Sequence, residues 1–83
     1  MTFTLDGMAL TPDYDEEADV LHLWVDAPRT AVTYETSHGH LVQLNPETRE
    51  FVGVAIVDYK ARWEGQEIRV EVPVVEERVL QLV

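Results

Sequence analysis

The chain has 83 residues, no cysteine and 46% hydrophobic residues, with sixteen acids against six bases for a net charge of −10. That size fits one small domain spanning 1–83, and the absence of cysteine removes disulfides and thiolate metal sites. The hydrophobic content is too high for a disordered chain, and the acidic balance disfavours direct nucleic-acid binding because phosphates would repel it. No basic leader precedes an apolar stretch and no apolar run approaches membrane-span length. A cytoplasmic chain without membrane contact is therefore expected.

Turn signals recur every eight to twelve residues, which suits short antiparallel strands. Asp6-Gly7 separates "TFTL" from "MALT" and supplies the positive φ values of a tight hairpin turn. Pro12 reads as a strand margin, where a missing N–H is tolerated. Residues Val20 to Val25, "VLHLWV", form the first strong strand. Thr30 to Thr36 is rich in β-branched and aromatic residues, and His40 to Asn45 alternates cleanly. "NPET" places Asn and Pro where a type I turn wants them, and "FVGVAIV" from Phe51 to Val57 is the next strand. "DYKARWEG" breaks the pattern as a loop or helical turn. Ile68, Val70, Val72 and Val74 then fall on one face of a half-buried strand. The last stretch, 74–83, fits both periods, and a helix starting after Pro73 is the preferred reading. The expected fold is mainly β, with α+β as the alternative. It is a small antiparallel meander of five to seven short strands, with room for one short C-terminal helix.

Two strands are apolar on both faces. In "FVGVAIV" no charge falls on either side, and in "VLHLWV" only His22 is polar. Such strands need cover on each face. A chain this short covers one face well, so a homodimer is expected to cover the other.

"YDEEADVLHL" and "FVGVAIVD" carry a resemblance. The first is similar to the opening motif of a family of small bacterial proteins known as domain of unknown function number 2283. Tyr14, Asp15, Glu17, Ala18, Asp19 and Leu21 match that motif, while His22 stands for the usual Tyr and Leu23 for Ile. The second, Phe51 to Asp58, resembles a later strand of the same family, with Tyr59-Lys60 in place of its usual Ala-Ser. The resemblance covers about residues 9–58 and leaves 59–83 outside. It implies a β-rich fold without established activity. The family's genes often neighbour genes for small toxin-like proteins, which implies an antitoxin-like role.

The acidic cluster of Asp13, Asp15, Glu16, Glu17 and Asp19 lacks the alternation and central Gly of a calcium loop. Its expected role is turn chemistry: Asp15 accepts amides two and three residues ahead, Asp19 closes the turn, and Tyr14 and Leu21 pack beneath it. His38 and His40, two apart, could chelate a metal with His22 and an acid, but two exposed turn histidines are the preferred reading. Ser37 beside His38 lacks the elbow of a nucleophile. Trp24 and Trp63 are the notable aromatics. Trp63, in "KARWEG", reads equally as an interface anchor and as a plug for the open end of a sheet. No catalytic, cofactor or metal residue is assigned. The expected function is a non-catalytic interaction module for another protein, a basic one by charge. A metal- or small-ligand-binding protein is the alternative, and a hydrolase the distant one.

Overall fold

The computed structural model describes residues 3–72 and 76–82. Eight strands form one curled sheet in the order β4-β5-β6-β3-β2-β1-β8-β7, with every neighbouring pair antiparallel. They are β1 Phe3–Leu5, β2 Met8–Asp15, β3 Val20–Trp24, β4 Val32–Glu35, β5 Leu41–Leu44, β6 Phe51–Val57, β7 Ile68–Val72 and β8 Glu76–Leu82. One π-helical turn, Tyr59–Trp63, lies between β6 and β7. No helix among the described residues is long and apolar enough to cross a membrane.

The mainly β, antiparallel reading holds, but the strand count exceeds the five to seven expected. The C-terminal stretch is the reason. Glu76–Leu82 is a strand that pairs with both β1 and β7 rather than a helix. Its register sets Leu80 opposite Leu5 and Ile68, so the two-residue period is the one the core uses. Val74, expected in the preceding strand, lies outside the described residues.

The path is not a plain meander. The β4–β5 hairpin is inserted between β3 and β6, and the chain returns so that β6 pairs with β3. Pro12 is also not at a strand margin. It lies within β2, paired with Leu23 of β3, beyond Met8–Leu10, where pairing with β1 stops. No ladder bond is therefore asked of its missing N–H on the β1 side.

The inside is built from cross-strand rows. Tyr14, Leu21 and Ile56 form one; Leu23, Val54 and Val42 form another; Leu5, Leu80 and Ile68 a third. Leu23, Ile56, Val42 and Val70 are fully buried. A bulge between Gln43 and Leu44 pairs Leu44 with Phe51 and leaves Val52 without a cross-strand mate on β5. Phe51 thereby turns towards the core, against which it packs.

On the outer side of β6, Gly53 and Ala55 are also buried. That cover comes from the chain itself. A Cβ on Gly53 would stand 2.8 Å from Cε3 of Trp24 and 2.8 Å from the Leu23 carbonyl oxygen, so the indole lies directly on the glycine. The missing side chain is what allows a large aromatic on β3 to lie across β6.

Candidate functional site

Three places concentrate the polar chemistry: the acidic turn, the seam where the curled sheet comes round on itself, and the outer face of β3, β6 and β5.

In the acidic turn, Asp15 Oδ1 accepts the N–H of Ala18 at 3.2 Å, which of the two amides the sequence predicts is the one three residues ahead. Asp13, Asp15, Glu16 and Glu17 are exposed. Asp19 does more than close the turn. With φ of 54° it sits in the left-handed region. Its Oδ1 accepts the Tyr14 hydroxyl at 2.7 Å and the Lys60 N–H at 2.9 Å, and its Oδ2 accepts the Ala61 N–H at 3.1 Å. Its backbone carbonyl also accepts the Tyr59 N–H at 3.1 Å. One carboxylate thus ties the β2–β3 turn to the start of the π turn. The Tyr14 hydroxyl and the Lys60 N–H hold Asp19 below the usual carboxylate range. The same hydrogen bond, with burial and the Asp19 charge added, pushes the Tyr14 phenol up to about 12. Lys60 Nζ stands 5.0 Å from the centre of the Tyr14 ring.

At the seam, the β4–β5 turn meets β7 and the π turn. Glu71 of β7 accepts the Ser37 N–H at 2.7 Å and also the Ser37 hydroxyl. Those two donors, with His38 nearby, lower the Glu71 carboxyl below its ordinary value. The turn closes on itself through Thr36 N–H to the His40 carbonyl at 2.8 Å and His40 N–H to Thr36 Oγ1 at 3.1 Å.

The pair of exposed histidines expected here is corrected in one half. His38 is exposed, but His40 is 0% exposed, with neither ring nitrogen hydrogen-bonded. Its ring meets Trp63 edge to face at 4.7 Å, and the His38 ring is 6.3 Å away. Burial, then the charges of His38 and Arg62, lower the His40 pKa. The signal was present in the sequence: His40 directly precedes β5 and is in step with Val42 and Leu44 on its buried face.

His22 lies elsewhere, on β3 opposite Ala55, so the three histidines do not converge. Among the described residues no three His, Asp or Glu side chains are grouped to hold a metal. The Ser37 hydroxyl donates to Glu71 rather than to an imidazole. Trp63 packs against the core and against His40, and it also lines a shallow 240 Å³ cavity at the sheet's end with Phe3, Tyr59, Gln66 and Ile68. That volume is below the roughly 300–1,000 Å³ of usual small-molecule pockets.

On the outer face the pairing aligns three rows: Asp15, Val20, Val57; Asp13, His22, Ala55, Leu41, Glu35; and Thr11, Trp24, Gly53, Gln43, Thr33. Thr33 Oγ1 donates to Gln43 at 3.0 Å, which confirms the shared side. The centre is apolar, with Val20, Trp24, Leu41 and Val57 half-buried. Acids border it on both sides, Asp13 and Asp15 on β2 and Glu35 on β4, and the three rows contain no Lys or Arg. The tight turn anchored by Asp19 fixes one border, and the seam fixes the other.

Comparison of the chain with known protein families, with curated proteins and with solved structures finds no match.

Proposed function

We propose that this protein is a non-catalytic protein-interaction module that receives a basic partner on the outer face of β3, β6 and β5. One observation carries the reading: half-buried apolar residues Val20, Trp24, Leu41 and Val57, bordered by Asp13, Asp15 and Glu35, in rows that hold His22 but no Lys or Arg. An apolar centre with a charged rim is the usual anatomy of a docking surface. The rim's sign and the net charge of −10 select a cationic partner and steer its approach. A small basic protein in the cytoplasm, neutralised in an antitoxin-like way, fits both this surface and the family resemblance of Tyr14–Leu21.

A second copy of the chain is the second reading, supported by the same apolar residues. Salt separates the two. Docking of a basic partner weakens as salt screens the rim, whereas pairing of two acidic faces strengthens. The test is affinity capture from cell lysate with the wild type and with the Asp13→Lys/Glu35→Lys variant, alongside light scattering at low and high salt. Capture of a basic protein, lost at 0.5 M salt and in the variant, is expected. Capture untouched by the double charge reversal overturns the docking face. A mass that doubles with added salt, with nothing basic captured, gives the face to the second copy.

A further inference from the structure

His40 has chemistry that the interaction reading leaves unused. It is fully buried, its two ring nitrogens have no hydrogen-bond partner, and it stands at the end of the β4–β5 turn. A neutral imidazole can occupy such a site at a moderate cost for its unmet polar atoms. An imidazolium there would bury a full charge and two N–H donors without an acceptor.

The neighbours do not help it. His38, on the same turn, and Arg62, on the π turn, both raise the cost of a positive charge. Trp63 stands at 4.7 Å with its ring inclined by 63°, and it brings no acceptor to either ring nitrogen. On β7 the Glu71 carboxylate accepts both the N–H and the hydroxyl of Ser37.

We propose that His40 is an acid-released latch: while neutral it holds the β4–β5 turn against Trp63 and the π turn, and when it takes a proton the turn lifts and the ring reaches water. Among the turn's ties to the rest of the molecule are the Ser37–Glu71 bonds and the His40–Trp63 contact. The closed form binds fewer protons than the open form, so acid favours opening. The window runs downward from the ordinary histidine range, about pH 6.5.

The latch is also placed to act on binding, a consequence that rests on the docking face proposed above. Glu35 and Leu41 immediately flank Thr36 and His40, and both belong to the outer rows. Lifting the turn would move one border of that face and weaken its hold on a basic partner in mild acid.

Amide exchange followed by NMR between pH 7.5 and 5 tests the latch without any binding. After correction for intrinsic rates, protection at Ser37, whose N–H ties the turn to Glu71, is expected to fall at least about tenfold, while Leu21 and Ile56 hold. The fall should survive His38→Gln and vanish in His40→Phe, which keeps a ring against Trp63 but cannot take a proton. The wild-type His40 ring resonances serve as a check that needs no variant. A ring that titrates through its own midpoint with turn protection unchanged overturns the latch, as does an equal fall in His40→Phe. Affinity for poly-L-lysine at pH 7.5 and 5.5 reads the second consequence separately. A turn that opens with no loss of affinity detaches the latch from the docking face and leaves the latch itself standing.

Discussion

The Tyr14 hydroxyl and the Asp19 carboxylate meet at 2.7 Å, and the same carboxylate holds backbone amides at Lys60 and Ala61, 41 and 42 residues further on. A turn that reads as a local device is therefore a long-range tie. It fixes the end of β6 and the start of the π turn against the β2–β3 hairpin.

Asp19→Ala is accordingly expected to cost more than Asp15→Ala. Asp15 satisfies one exposed amide, worth about 0.5–1 kcal/mol. Asp19 satisfies two amides and a phenol, and its loss should lower Tm by roughly 10 °C in a domain of this size. Thermal melts of both variants at pH 7 decide it. A smaller fall for Asp19→Ala contradicts the anchor.

The pH dependence follows from the same pair, with opposite signs at the two ends. Asp19 is depressed in the fold, so its contribution is present above the ordinary aspartate value, about 3.9, and is lost as pH falls through the folded one. Tyr14 is raised to about 12, so its contribution is intact below the ordinary tyrosine value and is lost as pH climbs towards 12. In a spectrophotometric titration, Asp19→Asn should move the Tyr14 transition back towards lower pH. A transition unmoved by that change would separate the phenol from Asp19.

Residues whose partners are close in sequence or on the same strand face were legible before folding. Asp6-Gly7 has the positive φ values expected of it, 53° and 79°, and Asn45 Oδ1 accepts the amides of Glu47 and Thr48 at 2.8 and 3.1 Å. The strand cores of β3, β5 and β6 follow from their alternation or apolar runs. Three features escaped for different reasons. The Asp19 tie joins turns that sequence separation hides. The strand Glu76–Leu82 carries both periods, and only the inward row of Leu5 and Ile68 selects one. His40 is the instructive case: alternation places it inside with Val42 and Leu44, but its polarity argued it outside. Of the candidate docking face, the apolar strands were legible. The acidic border was not, because it exists only once β2, β3, β6, β5 and β4 are set side by side.

Gly53 supplies a prediction about that face. An added Cβ would press on both Trp24 and the Leu23 carbonyl at 2.8 Å, and a backbone oxygen in a paired strand has little room to yield. Gly53→Ala should destabilise by about 1–3 kcal/mol, the range for an overpacked site. Trimming the indole with Trp24→Leu should return only part of that, since the Leu23 oxygen stays. Chemical denaturation of the two single variants and the double gives the coupling directly. Full additivity would mean that Trp24 does not lie on Gly53.

Trp63 distinguishes a plug from an anchor. Its ring packs against the core and meets His40 at 4.7 Å while one part lines the cavity at the sheet's end, so removing it opens both. Trp63→Ala should destabilise by about 3 kcal/mol, as large aromatic truncations do. It should also let water reach the His40 ring. The burial that lowers the His40 pKa is then relieved, and the NMR titration of that ring should move up towards the ordinary histidine value. Trp63→Phe, which keeps an aromatic ring beside His40, should cost less and leave the titration nearer the wild type. An interface anchor behaves otherwise: truncation would spare the fold, leave His40 titrating as before and reduce only partner capture. Denaturation curves, the His40 titration and capture from lysate on the same two variants separate the roles, and an unchanged fold with lost capture would move the docking surface from the outer face to the end of the sheet.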